Sequence, residues 1–139
     1  DLTCGMTGSA IPVPQAVKQA LDAGVPLERM TLSSDGNGSM PKFNENNELI
    51  GLTAAAPRYL YEEMLSIVKA GVLPFDKALQ LITCNVADAL KLEDKGRIAV
   101  GKDADLIVWN DDLTLNKVFA RGRLMVDKGQ AVVKGTFEN

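Results

Sequence analysis

A chain of 139 residues with 46% hydrophobic and 24% charged residues has the composition of a globular protein with one modest core or two small ones. Its net charge of -3, with scattered basic residues, argues against a nucleic-acid partner. No apolar run approaches the roughly 20 residues that a membrane span requires. We therefore expect a cytoplasmic protein with neither a nucleic-acid nor a membrane partner.

Histidine is absent, and Cys4 and Cys84 are the only cysteines. Two thiols so far apart match neither a zinc-finger spacing nor a CxxC redox motif. Hydrolytic zinc sites mostly use imidazole ligands. The chain alone is thus not expected to hold a complete active site, and its start at Asp1 instead of methionine suggests a processed chain or a fragment.

The first 35 residues have the pattern of a βαβ unit. Residues 1–4 resemble the end of a short strand, and a second strand over residues 30–32 leads to Asp35. Between them, Pro14 suits a first helical turn and Gly24 suits a helix end. The apolar positions between these two have helical spacing: Val13, Val17, Ala20 and Leu21.

The segment SSDGNGS, residues 33–39, carries the strongest candidate chemistry. Ligands and catalytic groups of α/β folds lie at carboxyl strand ends, so Asp35 is a candidate metal ligand or general base. Gly36 and Gly38 are expected to supply positive φ and close backbone approach. An ordinary turn is the open alternative. A calcium loop is excluded, because Met40 and Asn46 replace the required glycine and glutamate.

Residues 40–52 show little periodicity and predict a loop. A helix is predicted around Leu60 to Val68, followed by two more helices over 75–82 and 86–92. Asn85 is a plausible N-cap of the last one, with Asp88 as its reciprocal partner.

The composition changes after residue 95 to short β-rich runs separated by glycine-containing turns. These runs predict a small antiparallel sheet or sandwich without helices. The predicted strands cover residues 97–100, 105–109, 116–120, 123–126 and 130–133.

The stretch KGRIAVGKDADLIVWN, residues 95–110, resembles the tail signature of the amidohydrolase superfamily. Together with TLSSDGNGS and ARGRLMVDKGQAVVKGTFE, the resemblance narrows to the isoaspartyl (β-aspartyl) dipeptidases. It implies an α/β fold: residues 1–94 would be the last two strand-helix units of a (β/α)8 TIM-type metal-dependent hydrolase barrel. Residues 95–139 would then belong to a small β-sandwich.

The resemblance also implies roles for two residues. In that family the aspartate that ends the eighth barrel strand binds one of two zinc ions and carries a proton, and Asp35 matches it as metal ligand and catalytic residue. Ser39 matches a serine that binds the carboxylate of the isoaspartyl dipeptide. The family's histidine ligands and carbamylated lysine lie in an amino-terminal barrel portion that is missing here. The resemblance therefore implies a chain that is inactive and retains no zinc alone, in an enzyme that forms homo-oligomers.

Two other interpretations remain open. The chain could be a free-standing, non-catalytic binding or assembly module in which the DGNG sequence is only a turn. It could also be one half of a split amidohydrolase that a separate amino-terminal chain completes.

Overall fold

The computed structural model describes residues 1–6 and 10–135. They fall into two compact units, one over residues 1–91 and one from residue 92 onwards. Within the described ranges, no helix is long and apolar enough to cross a membrane.

The first unit begins with the βαβ arrangement that the sequence predicts. Strand β1 (Leu2–Thr3) pairs in parallel with strand β2 (Leu32–Ser33), and helix α1 (Val13–Asp22) lies between them in the chain. A short 3-10 helix, Leu27–Arg29, leads back toward β2. Gly24, at φ 80°, follows the end of α1 as expected for a residue that must take a left-handed conformation.

Three further helices belong to this unit: α2 (Tyr59–Lys69), α3 (Phe75–Gln80) and α4 (Cys84–Leu90). The predicted helices are confirmed, with ends shifted by a few residues. Asn85 as N-cap is wrong, because it lies inside α4 and is only 4% exposed. Its side-chain amide donates instead to the carbonyls of Leu27 and Met30, at 2.8 and 2.9 Å.

The core of this unit lies between the two strands and the helices. Leu32 of β2 is buried there, and the Leu32 N–H also donates to the Leu81 carbonyl at 3.0 Å. Burial of these side chains drives the packing of the helices on the strands. The buried cluster consists of Cys4, Val13, Val17, Met30, Leu32, Met64, Ile67, Ala78 and Leu81.

The loop predicted over residues 40–52 is wrong. Strand β3 (Ser39–Phe43) and strand β4 (Leu49–Ala54) form an antiparallel hairpin there. In the turn between them, the side-chain oxygen of Asn44 accepts hydrogen bonds from the backbone N–H groups of Asn46 and Glu48, and Asn47 has a φ of 60°. The polar residues that suggested a loop therefore build only the turn, since asparagine favours both of these features.

The second unit is a four-stranded antiparallel meander, which agrees with the small antiparallel sheet that was one of the two predicted arrangements. Its strands follow chain order: β5 (Leu106–Trp109), β6 (Leu115–Ala120), β7 (Arg123–Asp127) and β8 (Gln130–Ala131). The strand predicted over residues 97–100 is wrong. Ile98 and Val100 are fully or nearly fully exposed in a turn region, because apolar β-propensity makes a strand only where a partner strand is present.

An ionic network holds the start of this unit against the turn between β6 and β7. The ammonium of Lys95 contacts the carboxylates of Asp103, at 2.7 Å, and Asp105. Arg121 contributes its backbone N–H to Asp105 at 2.7 Å and its guanidinium to Asp103 at 3.3 Å. The hydrogen bonds from Lys95 lower the pKa of both carboxyl groups and raise the pKa of Lys95. The charged residues of the tail signature thus have a structural use.

Candidate functional site

Asp35 lies two residues beyond β2, at the carboxyl end of the parallel strand pair. Its side chain is exposed. Within the part of the chain that the structure describes, its carboxylate has neither a cation nor a hydrogen-bond donor as a partner. An exposed carboxylate at a carboxyl strand end is available to a ligand or a metal ion.

The backbone around Asp35 forms a tight turn. The Gly38 N–H donates to the Asp35 carbonyl at 2.8 Å. The left-handed residues are Asp35, at φ 48°, and Asn37, at φ 65°. The expectation that Gly36 and Gly38 take positive φ is therefore wrong, since both lie outside that region. Aspartate and asparagine are the non-glycine residues that tolerate this conformation best, because their short side chains can bond locally.

The hairpin fixes the turn from the other side. The Asn37 N–H donates to the Ala55 carbonyl at 3.0 Å, and the Ala55 N–H donates to the Gly38 carbonyl at 2.8 Å. Ala55 is 2% exposed. The turn and the base of the β3–β4 hairpin therefore form one hydrogen-bonded piece.

Ser39 is the first residue of β3, opposite Ala54, and it is exposed. The two predicted site residues thus lie close together in the chain fold: Asp35 is in the turn, and Ser39 is the first residue of the strand that follows the turn. An exposed hydroxyl at this place can donate to an anionic group of a ligand.

A cluster of polar side chains lies beside the β1–β2 strand pair, and the sequence analysis did not predict it. The carboxylate of Asp1 accepts hydrogen bonds from the hydroxyls of Thr31, at 2.8 Å, and Ser33, at 2.5 Å. The alternation of buried Met30 and Leu32 with these two hydroxyl residues was the available signal. β2 and the residues before it therefore have one apolar face and one polar face.

Cys4 does not offer a nucleophile to this site. Both cysteines are free thiols, and Cys4 is fully buried. Burial, with a smaller contribution from the charge of Glu63, raises the pKa of the Cys4 thiol to about 12. A thiol with so high a pKa is inert at neutral pH, because the thiolate is the reactive form.

The zinc that the resemblance implies can be compared with the donors present. The Asp35 carboxylate fits one oxygen ligand of a divalent ion. Over residues 1–6 and 10–135, no three Cys, Asp or Glu side chains come together as a metal site requires. Among the described residues, Asp35 could therefore supply one ligand of a metal site but not a complete ligand set.

Solved structures share this fold. A β-aspartyl dipeptidase from Fervidobacterium islandicum AW-1, in complex with a β-Asp-Leu dipeptide, superimposes with a TM-score of 0.81 at 30% identity. The match covers 98% of this chain and 35% of the dipeptidase. An N-acetylglucosamine-6-phosphate deacetylase from Thermotoga maritima matches at TM-score 0.63 and 19% identity, over 83% of this chain and 36% of that enzyme, which shows the fold alone.

Curated relatives carry other names. Adenine deaminase 1 of Carboxydothermus hydrogenoformans is 29% identical over 104 residues, which are 73% of this chain and 17% of the deaminase. The imidazolonepropionase of Anaeromyxobacter sp. (strain K) is 36% identical over 92 residues, 66% of this chain and 18% of that enzyme. The chain spans less than a fifth of the length of these two relatives.

A sequence model of the amidohydrolase family matches residues 12–136, nearly the whole chain. The match includes the Asp35 turn, the hairpin and the β-meander with its ionic network. The α/β architecture and the match to the β-aspartyl dipeptidase agree with this assignment. The chain belongs to the amidohydrolase family.

Proposed function

We propose that this chain is the carboxy-terminal part of a zinc-dependent isoaspartyl dipeptidase that hydrolyses β-aspartyl dipeptides. Residues 1–94 would supply the last two strand-helix units of the barrel, and residues 95–139 part of a β-sandwich. The main support is the position of Asp35: an unpaired, exposed carboxylate at a carboxyl strand end, in a chain that superimposes on a β-aspartyl dipeptidase holding β-Asp-Leu.

Asp35 would act in two ways. Its carboxylate would be one oxygen ligand to zinc. When bound, zinc is a Lewis acid that would lower the pKa of a coordinated water toward about 7. Because no protein donor or cation occupies this carboxylate in the described structure, it can accept the proton of the attacking water. It can then deliver that proton to the amine nitrogen as the amide bond breaks.

The Ser39 hydroxyl would donate a hydrogen bond to a carboxylate of the dipeptide. This contact would place the amide bond of the dipeptide beside Asp35. Since the described residues supply only one of the metal ligands, the isolated chain would be inactive. The activity would require the remaining barrel strands, in the same polypeptide or in a separate one.

A second candidate comes from the sequence relatives. The match to an adenine deaminase favours an amidohydrolase that acts on adenine instead of a dipeptide. Both reactions add water to a carbon bonded to nitrogen, so the Asp35 chemistry would serve either one. Only the substrate separates the two candidates.

The test is kinetic and uses the whole gene product that contains this chain, purified with zinc supplied. We expect hydrolysis of β-Asp-Leu, and a loss in kcat of about 100- to 10,000-fold for Asp35→Asn, as is typical for removal of a general acid or base. Asparagine also tolerates the φ of 48°, so the fold should persist. Deamination of adenine without dipeptide turnover would reject the dipeptidase. Near-normal kcat in Asp35→Asn would reject the site.

A further inference from the structure

We infer that Gly38 is a positioning residue for the Asp35 carboxylate, which takes its place only because residue 38 has no side chain. This inference depends on the proposed function, since it gives Gly38 its use. A Cβ atom built on Gly38 would lie 2.9 Å from both Cγ and Oδ2 of Asp35, and 2.8 Å from the Asp35 carbonyl oxygen. Cβ atoms do not approach other atoms so closely, so something would have to move.

The need for glycine at this position is one of space and not of backbone conformation. Gly38 does not have a left-handed φ, so it lacks the usual conformational reason for a glycine. The left-handed positions of the turn are taken by Asp35 and Asn37. The carboxylate therefore packs directly against the backbone of residue 38.

Gly38 cannot easily move away from an added methyl group. Its N–H donates to the Asp35 carbonyl and its carbonyl accepts from the Ala55 N–H, both at 2.8 Å. Ala55 is buried and is bonded to Asn37 as well. The exposed side chain of Asp35 is the freest of these groups, so a methyl at residue 38 is expected to rotate or push the carboxylate out of place.

Gly36 offers a matched control in the same turn. It also lies outside the left-handed region. A Cβ there would meet Ser34 Oγ at 3.3 Å and Pro57 Cγ at 3.4 Å, which are tight but tolerable contacts with side-chain atoms. Gly36→Ala thus makes the same chemical change two residues away without displacing Asp35.

The experiment compares Gly38→Ala, Gly36→Ala and Asp35→Asn in the whole gene product. Zinc affinity is measured by competition with a chelator, and kcat and KM are measured on β-Asp-Leu. We expect Gly38→Ala to weaken zinc binding and lower kcat by about 10- to 100-fold, as for other residues that orient a metal ligand. Gly36→Ala should stay within about twofold of wild type. Adding Gly38→Ala to Asp35→Asn should cause little further loss, because both changes act on one group.

The outcomes separate the two proposals. If Asp35→Asn is impaired while Gly38→Ala behaves like Gly36→Ala, the positioning inference is wrong and the proposed site stands. If Asp35→Asn is unimpaired, the proposed site fails whatever Gly38→Ala does.

A stability measurement covers the case in which Gly38→Ala lowers folding too far for kinetics. Asp35→Ala removes the Cγ and Oδ2 atoms that the new methyl would meet, so it should relieve the side-chain part of the clash and leave only the contact with the Asp35 carbonyl oxygen at 2.8 Å. The loss in melting temperature caused by Gly38→Ala should therefore shrink in an Asp35→Ala background. An unchanged loss would mean that the methyl clashes with the backbone alone, and it would overturn the inference.

Discussion

The side-chain amide of Asn85 donates to the backbone carbonyl of Met30 at 2.9 Å, across 55 positions of the chain. This contact links α4 to the residues that lead into β2 and then to Asp35. Asn85 is 4% exposed, and it also donates to the Leu27 carbonyl at 2.8 Å. A single buried amide thus holds the approach to the candidate site against the helical layer.

We expect Asn85→Ala to destabilise the chain by about 1–3 kcal/mol, the usual cost of leaving a buried carbonyl without a donor. The Leu27 carbonyl keeps the Met30 N–H as a partner, so Met30 is the carbonyl most affected. Asn85→Asp has the same size but no amide donor, and its carboxylate would face two carbonyl oxygens. It should destabilise at least as much as alanine in urea unfolding. If Asn85→Asp left the free energy of unfolding unchanged, packing and not hydrogen bonding would hold this position.

Ser39→Ala should mainly raise KM for β-Asp-Leu in the whole gene product, by about 10- to 100-fold. A hydrogen bond to a charged group contributes roughly 1.5–3 kcal/mol, and one made equally in the ground and transition states affects binding without changing kcat. Ser66→Ala, on α2, is a control that removes a hydroxyl bonded within its own helix. A fall in kcat at constant KM for Ser39→Ala would place this hydroxyl at the reacting bond instead.

The isolated chain should self-associate through β4. All six of its residues are exposed, including Leu52 at 71%, and no second strand besides β3 pairs with it among the described residues. β3 carries Pro41 and Lys42, which discourage edge pairing, whereas β4 has no proline or charge. An apolar strand with an open edge is a template for pairing with another chain.

Leu52→Lys should raise the dimer dissociation constant at least about tenfold, a change of roughly 1.4 kcal/mol. Val132→Lys is the matched control, since Val132 is 53% exposed and lies outside β4. Light scattering coupled to size-exclusion chromatography measures the dissociation of both variants. A wild-type chain that stays a monodisperse monomer at high concentration would contradict this prediction.

The second unit should lose stability in acid. Asp103 and Asp105 have lowered pKa values in the folded state, chiefly through hydrogen bonds from Lys95, with Arg121 adding to the effect. The unfolded chain therefore binds more protons below about pH 4, and the stabilisation present above the ordinary aspartate pKa is lost as pH falls through the lowered values. The raised pKa of Lys95 has the opposite sense, with stability lost as pH rises through it.

Lys95→Met should move acid unfolding of this unit to higher pH and raise the pKa of both carboxyl groups. Carboxyl carbon chemical shifts, followed by pH titration, report each aspartate separately. Lys117→Met is the control, because Lys117 pairs with Asp127 at 2.7 Å on the sheet and not with Asp103 or Asp105. Unchanged Asp103 and Asp105 titrations in Lys95→Met would contradict the network.

Local pattern alone was sufficient for several elements of this protein. Helical spacing from Val13 and the glycine at residue 24 predicted α1 and its end, because both features depend only on residues that are near each other in the sequence. Short β-rich runs separated by glycine turns predicted the antiparallel sheet of the second unit for the same reason. The SSDGNGS segment predicted candidate chemistry after a strand, with an ordinary turn as the open alternative. A turn forms there that includes Asp35, and Ser39 follows it as the first residue of β3.

Only the tertiary structure decided which residues play which part. Asn85 looked like a helix cap, yet its partners Leu27 and Met30 lie far away in sequence, so no local pattern contains them. The β3–β4 hairpin depends on cross-strand pairing that the polar turn residues masked. At Gly38 an added Cβ meets other atoms although the φ of this residue is not left-handed: the clash depends on where the Asp35 carboxylate packs, and that position exists only once the chain is folded.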